Sequence, residues 1–430
     1  DGGRLLCQAP TGIGKSMSVL FPALKSMGNE SVGPIFYLTA RGTTRTAAEN
    51  ALAILRDTEP ELHLRSVTLT AKDKICLCET RECTPEACPY ANGYYARIKG
   101  ALWDVLDVPC LTAETLQEYA ERYMVCPFEL GLDSSLWSDV IIGDYNYLFD
   151  PVVHLVRFFE SAGDYIFLVD EAHNLPGRAR EMHSAALTKT SFYEAKKLLG
   201  KGKSSLKNAL TKVNDVFIEW RHRAEEETAA RDGRFGKTFF LKERSEEFDH
   251  LLNRLCEPLE AWLDDHREPD ETHTALLQLY FDVRAWLRVA DTFDDHFVLQ
   301  ITASGSEVRA AQLCLDPSAF LADSFALGRA AVLFSATLAP ASYYKDLCGV
   351  PEARAVALRS PFPAGNQGLF CIGNVSTRYK DRDASLAIVA ESLATMVRAR
   401  CGNYLAFFPS YAYMEQAYAQ FKEHCPEINC

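Results

Sequence analysis

Short apolar runs that end in polar residues recur along the chain, and helical stretches follow several of them. The runs include RLLCQA, PIFYLTA, DVIIGDY, YIFLVDEAH and AAVLFSAT. Helices are predicted from Lys15 onwards and over RTAAENALAIL. Strands that alternate with helices predict an α/β fold with a parallel, doubly wound sheet. Ligands of such a sheet bind beyond the carboxyl ends of its strands, where the polar tails of these runs would lie.

Two long segments interrupt this alternation, and a further part follows it. The first segment, residues 71–130, holds a dense group of cysteines. The second, residues 186–325, is predicted to be largely helical from its apolar spacing, as in EEFDHLLNRLCEPLEAWLDDH. From residue 365, the run LFCIGNV, a helix and the run NYLAFFPSY predict the start of a second α/β unit. The chain is therefore expected to hold one interrupted α/β domain and part of another.

The sequence APTGIGKS fits the A-x-x-x-x-G-K-[ST] form of a phosphate-binding loop, between a predicted strand and a predicted helix. Gly12 and Gly14 let the backbone turn so that successive N–H groups face phosphate oxygens. Lys15 would reach the β- and γ-phosphates, and the Ser16 hydroxyl would ligate Mg²⁺. The loop therefore predicts a site for ATP and Mg²⁺, with contacts from Pro10, Thr11, Gly12, Ile13, Gly14, Lys15 and Ser16.

A second motif, IFLVDEAH, places two adjacent carboxylates at the end of an apolar strand. Asp170 would hold Mg²⁺ through water, and Glu171 would polarise the attacking water, so that Lys15, Asp170 and Glu171 are the predicted catalytic residues. A strand that ends in Asp-Glu is common by itself, and the interpretation depends on the phosphate loop. Together with His173 the carboxylates form the DEAH box of superfamily 2 helicases, which this segment resembles. In that family the histidine couples the nucleotide site to the nucleic-acid site.

The stretch LFSAT follows a further apolar strand. Under the helicase interpretation, Ser335 and Thr337 belong to the motif that links hydrolysis to domain movement. The alternative is an ordinary exit from a strand into a turn, and the tripeptide is too short to decide by itself. Its position at the end of another predicted strand favours the coupling motif.

The composition agrees with a soluble globular protein and excludes a membrane span. Hydrophobic residues make up 48% and charged residues 24% of the chain, which are ordinary values. There is no apolar run of about twenty residues, the length that a membrane span requires. The net charge of −13 argues mildly against a nucleic-acid binder. A basic groove on an acidic body is compatible with it, because local potential rather than total charge steers binding.

The cysteines favour a metal centre over disulfides. The chain has 14 of them, and a protein with a phosphate loop is expected in the cytosol, where disulfides do not persist. Metal ligation is then the better interpretation of the dense group. The candidate ligands are Cys76, Cys78, Cys83, Cys88, Cys110 and Cys126.

Four thiolates suffice for a [4Fe–4S] cluster or a structural zinc. Zinc sites usually pair two close C-x₂₋₄-C knuckles. The uneven spacing C-x₆-C-x₄-C-x₃₇-C of Cys76, Cys83, Cys88 and Cys126 favours the iron–sulfur cluster. Packed thiols are the alternative for any one cysteine, and the favoured interpretation for Cys78 and Cys110.

The order of motifs is similar to that of the XPD/DinG family of iron–sulfur helicases, and most to its bacterial DinG/YoaA-type members. A phosphate loop is followed by the cysteine group, then CPFELGLDSSLWSDVIIGDYNYLFDP, then the DEAH box. The resemblance implies that Cys76, Cys83, Cys88 and Cys126 ligate a [4Fe–4S] cluster, with Cys78 as the rival of Cys83. It implies that this cluster pins a small domain that lines a pore for single-stranded DNA.

The resemblance also implies the domain organisation. The fold is expected to be a RecA-like P-loop NTPase sheet that carries an inserted iron–sulfur domain and a mainly helical, arch-like insertion. The first motor domain would comprise residues 1–70, 131–185 and 326–364. The iron–sulfur domain would be 71–130, the arch-like insertion 186–325, and the start of a second RecA-like motor domain 365–430.

Several residues match family positions near DNA. Thr39 and Arg41, in LTARGTTRT, are candidate backbone contacts, although Arg41 could instead cap or solvate a helix start. Asn146 and Tyr147, in GDYNYLFD, could contact bases, but tyrosines there could equally belong to the core. Ser410, in FFPSY, is expected near DNA or the domain cleft.

The resemblance thus implies an ATP-dependent helicase that moves 5′→3′ on single-stranded DNA and unwinds forked DNA in repair or replication, in the bacterial cytoplasm at the nucleoid. A single-strand clamp gated by ATP and a helicase-linked exonuclease are the alternatives. The last family motifs, with the arginines that complete the ATP site, are expected beyond Cys430. An isolated fragment should then hydrolyse ATP weakly, because lack of an arginine finger costs roughly 10³ to 10⁵ in rate.

Overall fold

The structure is a computed structural model of the 430-residue chain. It describes residues 2–29, 32–40, 42–59, 61–202, 204–230, 237–267, 270–376 and 378–430. Two compact units are present, the first ending at Pro361 and the second spanning Phe362–Cys430.

Strands belong to the first unit in the part of the chain that is described. Their bounds are β1 (Gly3–Gln8), β2 (Ile35–Leu38), β3 (Ser66–Thr68), β4 (Cys110–Leu111), β5 (Val140–Gly143), β6 (Gly163–Asp170), β7 (Ala185–Thr188), β8 (Thr238–Leu241), β9 (Phe297–Ser304), β10 (Glu307–Cys314), β11 (Gly328–Ser335) and β12 (Arg354–Ala357).

Helices connect the strands and form the second unit. Their bounds are α1 (Lys15–Asn29), α2 (Gly42–Thr58), α3 (Lys72–Ile75), α4 (Tyr94–Val105), α5 (Ala113–Tyr123), α6 (Pro127–Ser135), α7 (Asn146–Phe149), α8 (Val156–Phe159), α9 (Leu175–Met182), α10 (Lys189–Leu198), α11 (Ser205–Ala230), α12 (Glu246–Asp265), α13 (Glu271–Thr292), α14 (Ser318–Ala326), α15 (Ala341–Leu347), α16 (Arg382–Ala399) and α17 (Tyr411–His424). No helix among the residues described is both long and apolar enough for a membrane span.

Among the described residues, eight strands form one sheet in the order β12–β1–β11–β6–β2–β5–β3–β4. All the pairings in this sheet are parallel. The sequence predicted this arrangement, and its apolar runs form β1, β2, β5, β6 and β11. A parallel sheet is covered on both faces, which explains why these runs are almost continuously apolar.

Alternate residues of the central strands enter two different cores. One face contributes Phe36, Leu38, Phe167, Val169 and Leu333. The opposite face contributes Ile35, Tyr37, Ile142, Leu168 and Phe334. Helices α1 and α2 cover the second face with Leu20 and Leu52, both fully buried. The sheet is therefore a rigid platform whose strand ends are fixed from both sides.

The cysteine segment shares the core of the sheet. Ile75, Tyr94, Ile98 and Leu116 are buried in the same apolar cluster as the strand residues of the first face. Cys110 lies in β4, the edge strand beside β3. The segment therefore has little core of its own, and its helices α3 to α6 are anchored on the sheet.

The second insertion has its own core and a sheet that the sequence analysis missed. Its described strands form an antiparallel sheet in the order β7–β10–β9–β8, against helices α10 to α13. The run FVLQITAS alternates buried and partly exposed residues along β9. A two-residue loop with Gly305 at φ 61° joins β9 to β10. Alternating buried and exposed residues on either side of a glycine turn are the pattern of a β-hairpin. The sequence analysis missed this hairpin because most of the insertion has the apolar spacing of helices.

In the second unit, α16 packs on α17 through Ala390, Ala394 and Phe421. The flanking runs LFCIGNV and NYLAFFPSY are not strands within the described residues, unlike the α/β pattern that the sequence predicted. Phe370 is 91% exposed and Phe407 is 87% exposed. A strand needs a neighbour for its N–H and C=O groups, and no such ladder forms among the described residues of this unit.

Candidate functional site

The glycine-rich loop lies at the carboxyl end of β1, and α1 begins directly after it at Lys15. Gly12 and Gly14 have φ values of 85° and 76°, which favour glycine. A Cβ added to Gly14 would meet no atom within 4 Å, so the loop is open on that side. A helix N-terminus with open, glycine-turned backbone is an arrangement that binds phosphate.

The register of the sheet brings the three motifs to one edge. Strand β11 lies between β1 and β6. Gln8 is the partner of Ser335, and Asp170 is the partner of Phe334. The phosphate loop, the LFSAT stretch and the DEAH box therefore begin side by side, as the carboxyl-edge rule predicts.

Tyr37 links the two residues that were predicted to hold Mg²⁺. Its hydroxyl donates a hydrogen bond to Oδ2 of Asp170 at 2.7 Å and lies 3.1 Å from Oγ of Ser16. Both predicted ligands therefore converge on one oxygen atom. Sequence reasoning missed Tyr37 because it is one aromatic residue within the apolar run PIFYLTA, which otherwise serves the core.

Asp170 is a buried carboxylate with several compensating partners. Its residue is 3% exposed. Burial raises the pKa of Asp170, while the hydrogen bond from Tyr37, the N–H of Glu171 and the charge of Lys15 oppose the rise. The N–H of Glu171 donates to Oδ1 of Asp170 at 2.8 Å. A buried carboxylate beside a serine hydroxyl and an open phosphate-type loop has the oxygen chemistry that suits Mg²⁺.

A second set of contacts joins Glu171, His173 and Ser335. The Ser335 hydroxyl donates to Oε2 of Glu171 at 3.0 Å. Nδ1 of His173 lies 2.7 Å from Oγ of Ser335 and 3.3 Å from Oε2 of Glu171. The N–H of Thr337 lies 3.4 Å from Oγ of Ser335. The structure thus gathers these predicted coupling residues around the carboxylate predicted to activate water.

Glu171 lies in a strained backbone position. Its φ is 49°, in the left-handed region that non-glycine residues seldom adopt. The buried Tyr145 hydroxyl donates to the carbonyl oxygen of Asp170, directly before this turn. Burial raises the pKa of Tyr145 well above its ordinary value, so the phenol stays a donor. Tyr145, which the sequence analysis did not single out, therefore supports the turn that orients Glu171.

The residues predicted to contact DNA lie in different environments. Thr39 and Tyr147 are buried, with exposures of 0% and 6%, and the Thr39 hydroxyl contacts that of Thr44. Asn146 accepts a hydrogen bond from Arg178 at 3.2 Å. Ser410 caps α17, accepting from the N–H of Tyr413. Arg41 lies outside the described residues. The DNA-contact roles of these residues stay predictions.

A groove of about 340 Å³ lies beside Asn146 and is lined by many cationic side chains. They come from α2, α3, the following cysteine loop and α9, and comprise Arg45, Lys72, Lys74, Arg81 and Arg178. Asp73 and Asp144 are the acidic residues in its described lining. Arg45 pairs with Asp144 at 3.3 Å. The groove is the strongest candidate for a nucleic-acid interface on this acidic chain, since local potential attracts phosphate.

Two arginines of the groove retain free donor groups. The Nε atoms of Arg45 and Arg178 are buried and have no hydrogen-bond partner among the described residues. Buried donors without a partner are uncommon. Phosphate oxygens or water entering the groove would satisfy them.

The structure brings one predicted cluster ligand, Cys88, next to Cys78, the residue that the sequence analysis considered a packed thiol and the rival of Cys83. Sγ of Cys78 lies 3.9 Å from Sγ of Cys88. Desolvation and the neighbouring thiols of Cys88 and Cys76 raise the pKa of Cys78 to about 11. Cys83 is exposed, and Cys126 precedes α6 as its N-cap residue. Within the described ranges, no three metal-binding side chains converge in a way that would hold a metal ion.

Fold and site together define the class. The edge at which phosphate loop, carboxylate pair and LFSAT stretch meet is that of a RecA-like P-loop NTPase, and the two inserted segments extend this fold. A solved XPD helicase structure matches with a TM-score of 0.58 at 18% identity, over 97% of this chain and 71% of that chain. This likeness supports the fold.

Sequence comparisons find similarity to a helicase family. The family model DEAD_2 matches residues 58–192. The helicase subunit XPD of the general transcription and DNA repair factor IIH of Schizosaccharomyces pombe is 23% identical over 376 residues, covering 71% of this chain and 48% of the relative. The corresponding XPD/RAD3 subunit of Saccharomyces cerevisiae is 22% identical over 529 residues, covering 96% and 66%.

The family model, these relatives and the structural likeness together support an XPD-type superfamily 2 helicase. The chain spans 48% to 66% of the length of these two relatives. The particular likeness to bacterial DinG/YoaA-type members stays a prediction.

Proposed function

We propose that this chain is the ATP-driven motor of a DNA helicase that moves along single-stranded DNA and separates the strands of forked DNA. The observation that carries the proposal is the continuity between two sites. Glu171 and His173 lie directly before α9, and Arg178 of α9 lines the cationic groove. A change at the nucleotide edge would therefore reach the groove through one short helix.

In the nucleotide site, each residue has a distinct task. Lys15 would bind the β- and γ-phosphates, and the Ser16 and Asp170 oxygens would hold Mg²⁺, Asp170 through water. Mg²⁺, when bound with ATP, neutralises charge that develops on the phosphate oxygens. Glu171 would orient and polarise the attacking water. The hydroxyl of Ser335 and the ring of His173 hold the Glu171 carboxylate in place for that task.

The groove would hold the backbone of a single strand. Its cations can pair with phosphates without reading bases, which suits a motor that must move along any sequence. Phe128 lies in the same groove under the Lys72 ammonium group, 5.3 Å from it. Movement in the 5′→3′ direction and a role in repair or replication are the family expectations for such a motor.

We further propose that Cys76, Cys83, Cys88 and Cys126 hold a [4Fe–4S] cluster. The sequence spacing and the family resemblance support this set, and the proximity of Cys88 to Cys78 supports a thiol centre in this loop. Soft thiolate ligands suit iron–sulfur clusters. The cluster would staple a segment that relies on the sheet for its core.

Strand displacement by the full-length protein tests the proposed activity. The substrates are a fork with a free 5′ single strand, its counterpart with a free 3′ single strand, and a blunt duplex. ATP-dependent displacement of the first substrate alone is expected, and Lys15→Ala and Glu171→Gln should abolish it. ATP-dependent retention on single strands without displacement would indicate a clamp instead. Shortening of end-labelled strands would indicate a nuclease.

A further inference from the structure

The Tyr37 hydroxyl occupies a central place in the nucleotide edge. It donates to Asp170 at 2.7 Å and lies 3.1 Å from the Ser16 hydroxyl. Its ring is fully buried on the second face of the sheet, 6.0 Å from the ring of Phe334. A phenylalanine would fill the same apolar space, so the packing of the core does not explain the hydroxyl.

The directions of these hydrogen bonds follow from the groups involved. The Tyr37 phenol lies 2.7 Å from Oδ2 of Asp170, and in this pair the phenol is the donor, because a carboxylate can only accept. The O–H of Tyr37 therefore donates its hydrogen bond to the Asp170 carboxylate. The remaining bond then has Ser16 as the donor and Tyr37 as the acceptor.

This direction leaves the Ser16 oxygen prepared for a cation. A hydroxyl that ligates Mg²⁺ must turn its lone pairs towards the metal and its proton elsewhere. The Tyr37 oxygen accepts the hydrogen bond from the Ser16 hydroxyl. The O–H of Tyr37 in turn donates to one carboxylate oxygen of Asp170 and holds it in place. The N–H of Glu171 fixes the other oxygen at 2.8 Å. Partners of this kind orient metal ligands and tune affinity.

We propose that Tyr37 is a positioning residue that prepares Ser16 and Asp170 for the Mg²⁺ of the bound nucleotide. The inference rests on the proposed function, because it assigns a role within that nucleotide site. Tyr37 touches neither the nucleotide nor the reacting atoms in this role. It acts through the two residues that hold the metal.

Binding of a fluorescent ADP analogue to the full-length protein tests the proposal. Its affinity is measured with Mg²⁺ and again in EDTA, for the wild type, Tyr37→Phe and Tyr165→Phe. Tyr165 is a matched control on β6, since its hydroxyl donates to the carbonyl of Phe158 at 2.9 Å, away from the motifs. Thermal unfolding of each variant reports on folding.

Tyr37→Phe should weaken the Mg²⁺-dependent affinity by roughly 10- to 100-fold and leave the affinity in EDTA unchanged. Tyr165→Phe should change neither affinity. Equal losses in both conditions, or no loss, would overturn the proposal. If wild-type protein binds the analogue in neither condition, the proposed nucleotide site itself is wrong.

A second variant tests the proposal if Tyr37→Phe does not fold. 4-Fluorophenylalanine at position 37 fills the space of the hydroxyl but donates no proton. The same two affinities then decide. If neither variant folds, the hydroxyl is needed for the fold rather than for the metal ligands, and the proposal fails.

Discussion

The Ser335 hydroxyl donates a hydrogen bond to Oε2 of Glu171 across 164 positions of the chain. The bond forms because β11 lies directly beside β6 in the sheet. His173 completes the contact from the other side, with its Nδ1 2.7 Å from Oγ of Ser335. Ser335, at the end of β11, is therefore in direct contact with the Glu171 carboxylate, which directly follows the neighbouring strand β6. That is the physical basis on which the LFSAT stretch could sense the state of the nucleotide.

Ser335→Ala should separate ATP binding from DNA unwinding. A hydrogen bond to a charged group is worth about 1.5–3 kcal/mol, so the rate of strand displacement should fall about ten- to a hundredfold. Nucleotide affinity should persist, because Lys15, Ser16 and Asp170 are untouched. Ser324→Ala removes a hydroxyl that donates to the carbonyl of Phe320 within α14, and serves as the control. Displacement at the wild-type rate by Ser335→Ala would contradict the coupling role.

The raised pKa of Asp170 predicts a pH dependence with a defined sign. Because folding raises this pKa, the folded protein binds the Asp170 proton more tightly than the unfolded chain. This contribution stabilises the folded state as the pH falls through the raised pKa, and the advantage is absent well above it. The window therefore starts above the ordinary titration range of an aspartate, whose reference pKa is 3.8.

Unfolding temperatures of the wild type and Asp170→Asn in EDTA measure this effect. The wild type should gain stability relative to the variant as the pH falls through that window. Mg²⁺-dependent nucleotide binding by the wild type should weaken over the same window, because protons compete with the metal for Asp170. A stability difference between the two proteins that is constant with pH would show that Asp170 keeps an ordinary pKa.

The sequence sufficed for the main sheet and its motifs because both depend on local patterns. A buried parallel strand must be apolar, and a phosphate loop must contain glycines such as Gly14, so both can be read from neighbouring residues. The role of Tyr37 could not be found in this way. Its partners, Ser16 and Asp170, lie on other elements, and only the strand order brings them within hydrogen-bonding distance.

The cationic groove likewise could not be predicted from local sequence patterns. Arg45, Lys74 and Arg178 are separated along the chain and form no charge run, yet the fold places them around one cavity. The buried places of Thr39 and Tyr147 also depend on the neighbouring elements rather than on their motifs. Motif likeness locates a region near a ligand, whereas packing decides which side chain can reach it.

The salt dependence of single-strand binding tests the groove. Arg81→Ala and Lys74→Ala each remove an exposed cation from its lining. Each change should weaken binding of all sequences alike and lower the slope of log affinity against log salt by about 0.7 for each phosphate that the protein no longer neutralises. Lys25→Ala, which removes an exposed cation from α1 outside the groove, is the control. A slope unchanged by both groove variants would move the interface elsewhere.

Iron content distinguishes the rival cysteines. After anaerobic purification, the proposed ligand set predicts that Cys83→Ala loses iron and visible absorption while Cys78→Ala retains both, because four thiolates complete a cluster. Because Cys78 lies close to Cys88, it is a genuine alternative to Cys83 as the fourth ligand, and the two variants distinguish between them. Cys110→Ala, in edge strand β4, is the control that should keep its iron. The reverse result, with iron lost only from Cys78→Ala, would exchange the two residues in the ligand set, and zinc without iron would exclude the cluster.

Arg97 predicts how the cysteine segment is held together apart from any metal. Its guanidinium group donates to the carbonyl of Pro89 at 3.1 Å, next to Cys88, and to that of Met124 at 3.0 Å, two residues before Cys126. One side chain therefore joins two segments that carry proposed ligands.

Arg97→Met should weaken the connection between the segments at Pro89 and Met124 and leave the sheet intact. Each hydrogen bond removed is worth about 0.5–1.5 kcal/mol, so local opening should increase roughly tenfold or more. The expected results are faster proteolysis between residues 76 and 93 and less iron per protein, with little change in the unfolding temperature. Arg122→Met is the matched control, because its exposed side chain pairs with Glu118 one helical turn away and covers the ring of Tyr119. Equal proteolysis of the two variants would mean that the helices alone hold the segment, since then neither the Pro89 nor the Met124 hydrogen bond contributes to its closure.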